Sequence, residues 1–123
     1  DEILSSLSYF DTEKDEKYYK IFLIGIFIIL GNDYIRLSER ESGYGRADLV
    51  LEPKNKINPA YIFEFKVVNN EDELENYAKA GFEQIKEKEY DVELRNRGVG
   101  RIVCVGLAFY RKKIKMKYEI MEE

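Results

Sequence analysis

The segment Arg101 to Phe109, RIVCVGLAF, runs from Ile102 onward without a charged or amide side chain. A strand that reads as a continuous apolar run instead of alternating has both faces covered, so this one belongs in the centre of a sheet with material packed above and below it. That requirement sets the fold class: the rest of the chain has to supply both the flanking strands and the helices that cover them. With 123 residues there is room for one domain and one core. Residues 1–123 are therefore read as a single domain, and because the sequence opens on Asp1 and not Met, a processed product or, in preference, a C-terminal fragment of a longer chain is expected.

The covering elements can be placed. A first helix is expected from near Thr12, with Asp15 completing a capping-box pattern, to Gly31-Asn32. Its second half is apolar all round and so reads as buried between other elements, although the isoleucines of IGIFII also suit a strand. DYIRLS reads as a strand, Glu39 to Gly45 as a loop, and RADLVLEP and YIFEFKVV as two further strands joined as an antiparallel hairpin through KNKINPA. Asn70 caps a second helix, whose Leu74, Tyr77, Ala78, Gly81, Phe82 and Ile85 form one apolar stripe. An Asn- and Gly-rich loop leads into RIVCVGLAF. KIKMKYEI follows as an edge strand, with Lys113, Lys115 and Lys117 on one side and Ile114, Met116, Tyr118 and Ile120 on the other. The order α-β-β-β-α-β-β describes an α/β fold with a mixed central sheet flanked by helices.

Composition removes whole classes of chemistry. The chain has no histidine and a single cysteine, which excludes Ser-His-Asp and Cys-His catalysis, His-containing zinc sites and multi-thiolate metal sites. Cys104 lies inside the apolar run and reads as a buried thiol, which suits a reducing compartment, and a cytoplasmic location is expected. The longest apolar run, Ile21 to Leu30, is well short of the ~18 residues of a membrane span, so no membrane partner is expected. The remaining reactive groups are carboxylates, amines, guanidinia and hydroxyls, which favour a hard cation such as Mg²⁺. Charge is segregated: residues 95–118 hold eight basic side chains and no acid, whereas residues 1–94 hold 12 basic and 21 acidic ones. That stretch is either a footprint for a polyanion or a solvated strand face.

One group of residues stands out. Glu64 and Lys66 are two apart on the third strand and share a face, while Phe63, Phe65 and Val67 point the other way. Hairpin pairing brings Asp48 beside Glu64. Two like charges about 4 Å apart repel by roughly 4 kcal/mol at an effective dielectric of about 20, so something positive belongs between them. A divalent cation meets that need, with Lys66 beside it to stabilise developing negative charge.

Asp48, then fifteen residues, then Glu64-Phe65-Lys66 resembles the signature of the PD-(D/E)xK nuclease superfamily, and the element order agrees with its restriction-endonuclease-like α-β-β-β-α-β core. ESGYGRADLVL, YIFEFKV and AKAGFEQIKEKEY are similar to the branch found C-terminal to AAA-type ATPase-like domains, a likeness running from about Glu16 to Phe109. The resemblance implies that Asp48 and Glu64 hold Mg²⁺ or Mn²⁺, with the backbone carbonyl of Phe65 as a further ligand and Glu16 on the first helix completing the site. It implies that Lys66 assists the attacking water or stabilises the phosphate. Gln84, with Tyr90 after it, resembles the helix motif beside the active site in several nuclease branches. Two departures are visible: Ala47 stands where the motif has proline, and Tyr19 is followed by Lys20 where these proteins often carry histidine.

Each of these residues has a plainer reading. Glu64 and Lys66 can form a surface salt bridge, Asp48 can belong to a turn, Glu16 can pair with Lys20, and Gln84 can be a satisfied rim amide. Arg46, a candidate phosphate contact, can instead hold its loop through Glu41. The tyrosines read as packing residues, with base stacking open to any exposed one. The function expected is Mg²⁺-dependent hydrolysis of phosphodiester bonds in DNA, less so RNA, with Asp48, Glu64 and Lys66 catalytic and Arg46, Gln84, Lys113 and Lys115 binding substrate. The alternative is a catalytically silent nucleic-acid-binding or protein-interaction module. An upstream ATPase-like domain is the expected covalent partner, and association with a second copy stays open.

Overall fold

The computed structural model describes residues 14–37 and 47–122, with the side chains of its first helix described from Ile21 onward. Helix α1 spans Lys14–Leu30 and runs into a single 3₁₀ turn, Gly31–Asp33. Strands β1 (Tyr34–Arg36), β2 (Leu49–Pro53) and β3 (Ala60–Val67) follow. A 3₁₀ turn at Glu71–Glu73 enters α2 (Leu74–Glu87), and a short α3 (Val92–Asn96) precedes β4 (Arg101–Tyr110) and β5 (Lys113–Glu122). The chain order expected from the sequence is reproduced, with α3 as an addition in a stretch that reads as loop.

The five strands form one mixed sheet in the order β1-β2-β3-β4-β5. β3 and β4 are parallel and every other neighbouring pair is antiparallel. A parallel pair needs a long crossover, which α2 and α3 provide on one face. On the opposite face, Phe22, Leu23, Ile26, Phe27 and Leu30 of α1 pack over Leu49, Leu51, Phe63, Val105, Leu107 and Phe109. The rings of Tyr61, Phe63 and Phe65, two residues apart along β3, stack at centroid spacings of 6.1 and 5.8 Å on that face. β4 is buried on both faces along most of its length, as its unbroken apolar run demands.

Helix α2 lies unusually close to the sheet, because two glycines face each other. A Cβ on Gly106 of β4 would overlap the carbonyl oxygen of Ala78 and the backbone nitrogen of Phe82, and one on Gly81 of α2 would meet the Glu64 Cβ at 3.3 Å. Asn70 caps the entry to this helix by accepting from the Asp72 N–H at 2.9 Å. At the far end of the crossover, Gly98 takes a φ of +93° that closes α3, its N–H donating to the Arg95 carbonyl.

Three expectations change. Helix α1 is not buried all round: Ile28 and Ile29 are 69% and 80% exposed, because a single helix on a sheet face contacts it with one stripe only. Tyr77, at the margin of the α2 stripe, is exposed, and Leu74, Ala78, Gly81, Phe82 and Ile85 are the residues the helix buries. The apolar side of β5, Ile114, Met116, Tyr118 and Ile120, is also exposed, as α1 covers β2 to β4 but not the edge. The cap expected at Thr12 lies outside the described residues, as does the glycine-rich loop from Glu39 to Gly45.

Candidate metal and phosphodiester site

The β2–β3 register pairs Val50 with Ile62, and two residues further along it sets Asp48 against Glu64. The two are tied through backbone as well as side chain. The Asp48 N–H donates to Glu64 Oε1 at 3.2 Å, and the Phe65 N–H donates to Asp48 Oδ2 at 2.7 Å. Each carboxylate is thus held by an amide of the opposite strand, which fixes both side chains without using a cation.

Glu64 and Glu52 are the two buried charged residues among the described ones, 3% and 1% exposed, and they are treated in opposite ways. Glu52 accepts from Arg97 twice, at 2.8 and 2.8 Å, and from Lys56 Nζ at 2.6 Å. The Arg97 hydrogen bonds hold its carboxyl below the usual carboxylate range, with Lys56 adding to the effect. Glu64 has no such partner. Burial pushes its carboxyl up to about 8, and the Asp48 charge and the hydrogen bond between the two side chains push the same way. Among the described residues no cation lies within ion-pair distance of either Asp48 or Glu64.

Lys66 follows Glu64 on the same face, yet its Nζ donates to Gln84 Oε1 at 3.1 Å instead of pairing with an acid. Gln84 Nε2 in turn donates to the Tyr90 hydroxyl at 3.3 Å. This three-residue chain runs from β3 through the last turn of α2 to the turn beyond it, and the Gly81–Gly106 contact is what brings α2 near enough to make it. The salt-bridge reading of Glu64 and Lys66 therefore does not describe the geometry; the lysine is oriented by an amide and its positive charge stays available beside the acid pair.

The other candidates are dispersed. Lys113 pairs with Glu71 at 2.7 Å and Lys115 with Glu75 at 4.0 Å, both on β5, two strands from Glu64. Phe65 contributes its N–H to the Asp48 contact, and its ring faces the α1 side. Arg46 and Glu41 lie outside the described residues, and of Glu16 only the backbone, in the first turn of α1, is described. Among the described residues no group of three potential metal ligands gathers, so the acid pair stands by itself there. The residue missed from the sequence is Gly81, which reads as one more small member of the α2 stripe. Gly106, the single glycine inside an apolar strand, was the signal that a backbone approaches closely there.

Cys104 is buried against Met121, at 3.4 Å between sulfurs, and burial pushes its thiol up to about 12, so it has no reactive thiolate near neutrality. No helix among the described residues is long and apolar enough to cross a membrane.

Neither a curated protein nor a solved structure matches the chain. A family model for the PD-(D/E)XK nuclease superfamily does match, over residues 14–119, a span that takes in α1, Asp48, Glu64, Lys66, Gln84 and the first seven of the ten residues of β5. With the mixed five-stranded sheet and its flanking helices in the arrangement of a restriction-endonuclease-like fold, the chain belongs to the PD-(D/E)XK nuclease superfamily.

Proposed function

We propose that this domain is a divalent-metal-dependent nuclease that hydrolyses phosphodiester bonds in DNA. The observation that carries the reading is the contrast between the two buried acids: Glu52 is neutralised by Arg97 and Lys56, and Glu64, pressed against Asp48, is left with an amide and another carboxylate. A fold that brings two cations to one buried acid and none within ion-pair distance of the other has left a place for a charge from outside. Carboxylate oxygens suit a hard ion such as Mg²⁺ or Mn²⁺, so the donor set fits the ion that the superfamily commonly uses.

Asp48 and Glu64 would hold the ion. Bound there, it supplies Lewis acidity toward a phosphodiester and lowers the pKa of a water. The chain's own contributions are then three. The amides of Asp48 and Phe65 keep the carboxylates in place before anything binds. Lys66 offers a fixed positive charge to the phosphoryl oxygens as negative charge develops on them, and Gln84, anchored on Tyr90, sets where that charge points. Helix α2 screens Glu64 from bulk water, which strengthens every electrostatic interaction around it.

Incubation of the purified domain with plasmid and linear DNA in Mg²⁺ or Mn²⁺ tests this reading. Cleavage that disappears in EDTA and in Asp48→Ala and Lys66→Met supports it. Equal cleavage by those variants, or none by the parent with either ion, overturns it, and salt-sensitive DNA binding without cleavage would instead mark a silent binding module.

A further inference from the structure

Four cations of the basic stretch, Arg101, Arg111, Lys112 and Lys117, have no acid within ion-pair distance among the described residues, and two of them, Arg111 and Lys112, form the tip of the β4–β5 hairpin. Lys113 and Lys115 face Glu71 and Glu75, and Lys117 lies over the Phe82 ring at 5.5 Å. The tip sits at the same end of the sheet as the acid pair. Lys66 is paired with Ala108, β4 continues to Tyr110, and Tyr110 pairs with Lys113 across the turn.

Two further observations single out Arg111. Its φ is +53°, a left-handed conformation at the first central position of a two-residue hairpin, where glycine is the undemanding choice. A long charged side chain is kept there against that preference, the kind of local strain that collects at functional positions. Its guanidinium lies over the Tyr110 ring, 5.2 Å from the centroid, and Tyr110 packs with Val68, Leu74, Ala78 and Ala108 on the α2 side of the sheet, the side of Glu64 and Lys66. A guanidinium resting over a ring still has N–H donors to offer a phosphate in a planar, two-point contact.

We propose that Arg111 and Lys112 hold the phosphate backbone of DNA as it leaves the candidate site. This rests on the nuclease reading above and deepens it. Three residues past Ala108, at about 3.3 Å each and one strand spacing of about 4.8 Å to the side, place the tip about 11 Å from Lys66 at the level of the backbone. At about 3.4 Å of duplex axis per nucleotide of one strand, that is about three nucleotides from the bond to be cut. The contact grips backbone and carries no sequence preference of its own.

The test is binding of a fluorescein-labelled 20-base-pair duplex in EDTA from 50 to 300 mM salt, with thermal unfolding of the same variants. Arg111→Gly/Lys112→Ser is expected to bind about tenfold more weakly, with the slope of log affinity against log salt reduced by about two. Its thermal midpoint should rise, because glycine relieves the left-handed backbone, so lost affinity cannot be put down to lost structure. Lys113→Ala/Lys115→Ala should leave the slope nearly unchanged. An unaltered slope in the tip variant, or a loss confined to the Lys113/Lys115 variant, overturns the tip contact while leaving the nuclease reading standing. A parent domain that binds no duplex at 50 mM salt in EDTA overturns the tip contact alone, the nuclease reading being decided by cleavage in Mg²⁺ or Mn²⁺.

Discussion

Gly106 and Ala78 touch backbone to backbone: a single methyl added to the strand residue would overlap the helix residue's carbonyl oxygen. Nothing about the chemistry of the site is visible in that contact, yet it sets how far α2 stands from β3, and so whether Gln84 reaches Lys66.

Gly106→Ala is accordingly expected to destabilise the domain by about 2–3 kcal/mol, since the overlapping atoms are backbone and cannot rotate away. For a chain of this length that is a fall of roughly 10 °C in the thermal midpoint. Gly25→Ala, on α1 with nothing within 4 Å, should be neutral or slightly stabilising. Equal midpoints for the parent and Gly106→Ala would refute the close approach.

Removing Arg97 leaves Glu52 buried with Lys56 alone. Because Arg97 is 36% exposed and one cation remains, Arg97→Met should cost about 2 kcal/mol in urea unfolding, below the 3–5 of a fully buried pair. Lys113→Ala, which breaks a pair exposed on both sides, should cost less than about 1 kcal/mol. A reversal of that ranking would mean that Arg97 is not what keeps the buried Glu52 charge tolerable.

Stability should vary with pH in two directions. The Glu64 carboxyl is raised from 4.5 to about 8, so between those values the folded state holds a proton that the unfolded state has released, and stability falls as pH rises from about 5 to 8. The Glu52 carboxyl is lowered from 4.5, so its contribution is present above that value and is lost as pH falls below it. Thermal midpoints measured from pH 4 to 9 should therefore peak near pH 5, and Glu64→Gln should flatten the upper limb alone. An upper limb that persists in Glu64→Gln would assign it to another group.

An ion that binds the ionised acid pair should reverse the loss on the upper limb. At an ion concentration of 100 times its dissociation constant the gain is about 2.7 kcal/mol, read as a rise in thermal midpoint with Mg²⁺ or Mn²⁺ at pH 8. Asp48→Asn should abolish the rise. A rise of the same size in that variant would place the ion elsewhere.

Gln84→Leu keeps the helix and the volume but removes the acceptor for Lys66. Cleavage should drop about 10- to 100-fold while Lys66→Met loses at least about 100-fold, in line with the difference between misdirecting a charge and deleting it. Equal losses would mean that Gln84 itself touches the substrate.

The parts of this architecture that could be read in advance are those whose cause is local. Leu74, Ala78, Phe82 and Ile85 recur with the period of a helix, and the even spacing from Glu64 to Lys66 puts both on one side of a strand whatever surrounds them. Asp48 could be placed opposite Glu64 because the hairpin between them is short. What stayed hidden depends on distant partners. Arg97 and Glu52 lie 45 residues apart, and neither position reveals that one neutralises the other. The exposure of Ile28 and Ile29 follows from how many layers cover α1, a tertiary property to which hydropathy along the chain is blind. The basic stretch looked uniform in sequence, and only the fold separates the paired lysines of β5 from the tip.

The crossed amide contacts between Asp48 and the Glu64–Phe65 step have a kinetic corollary. A metal arriving at Asp48 and Glu64 would find both side chains already held by amides of the sheet. With the ligands in place, the rate of capture would be set by loss of the Glu64 proton and by how readily the ion sheds its own water, which Mg²⁺ does reluctantly.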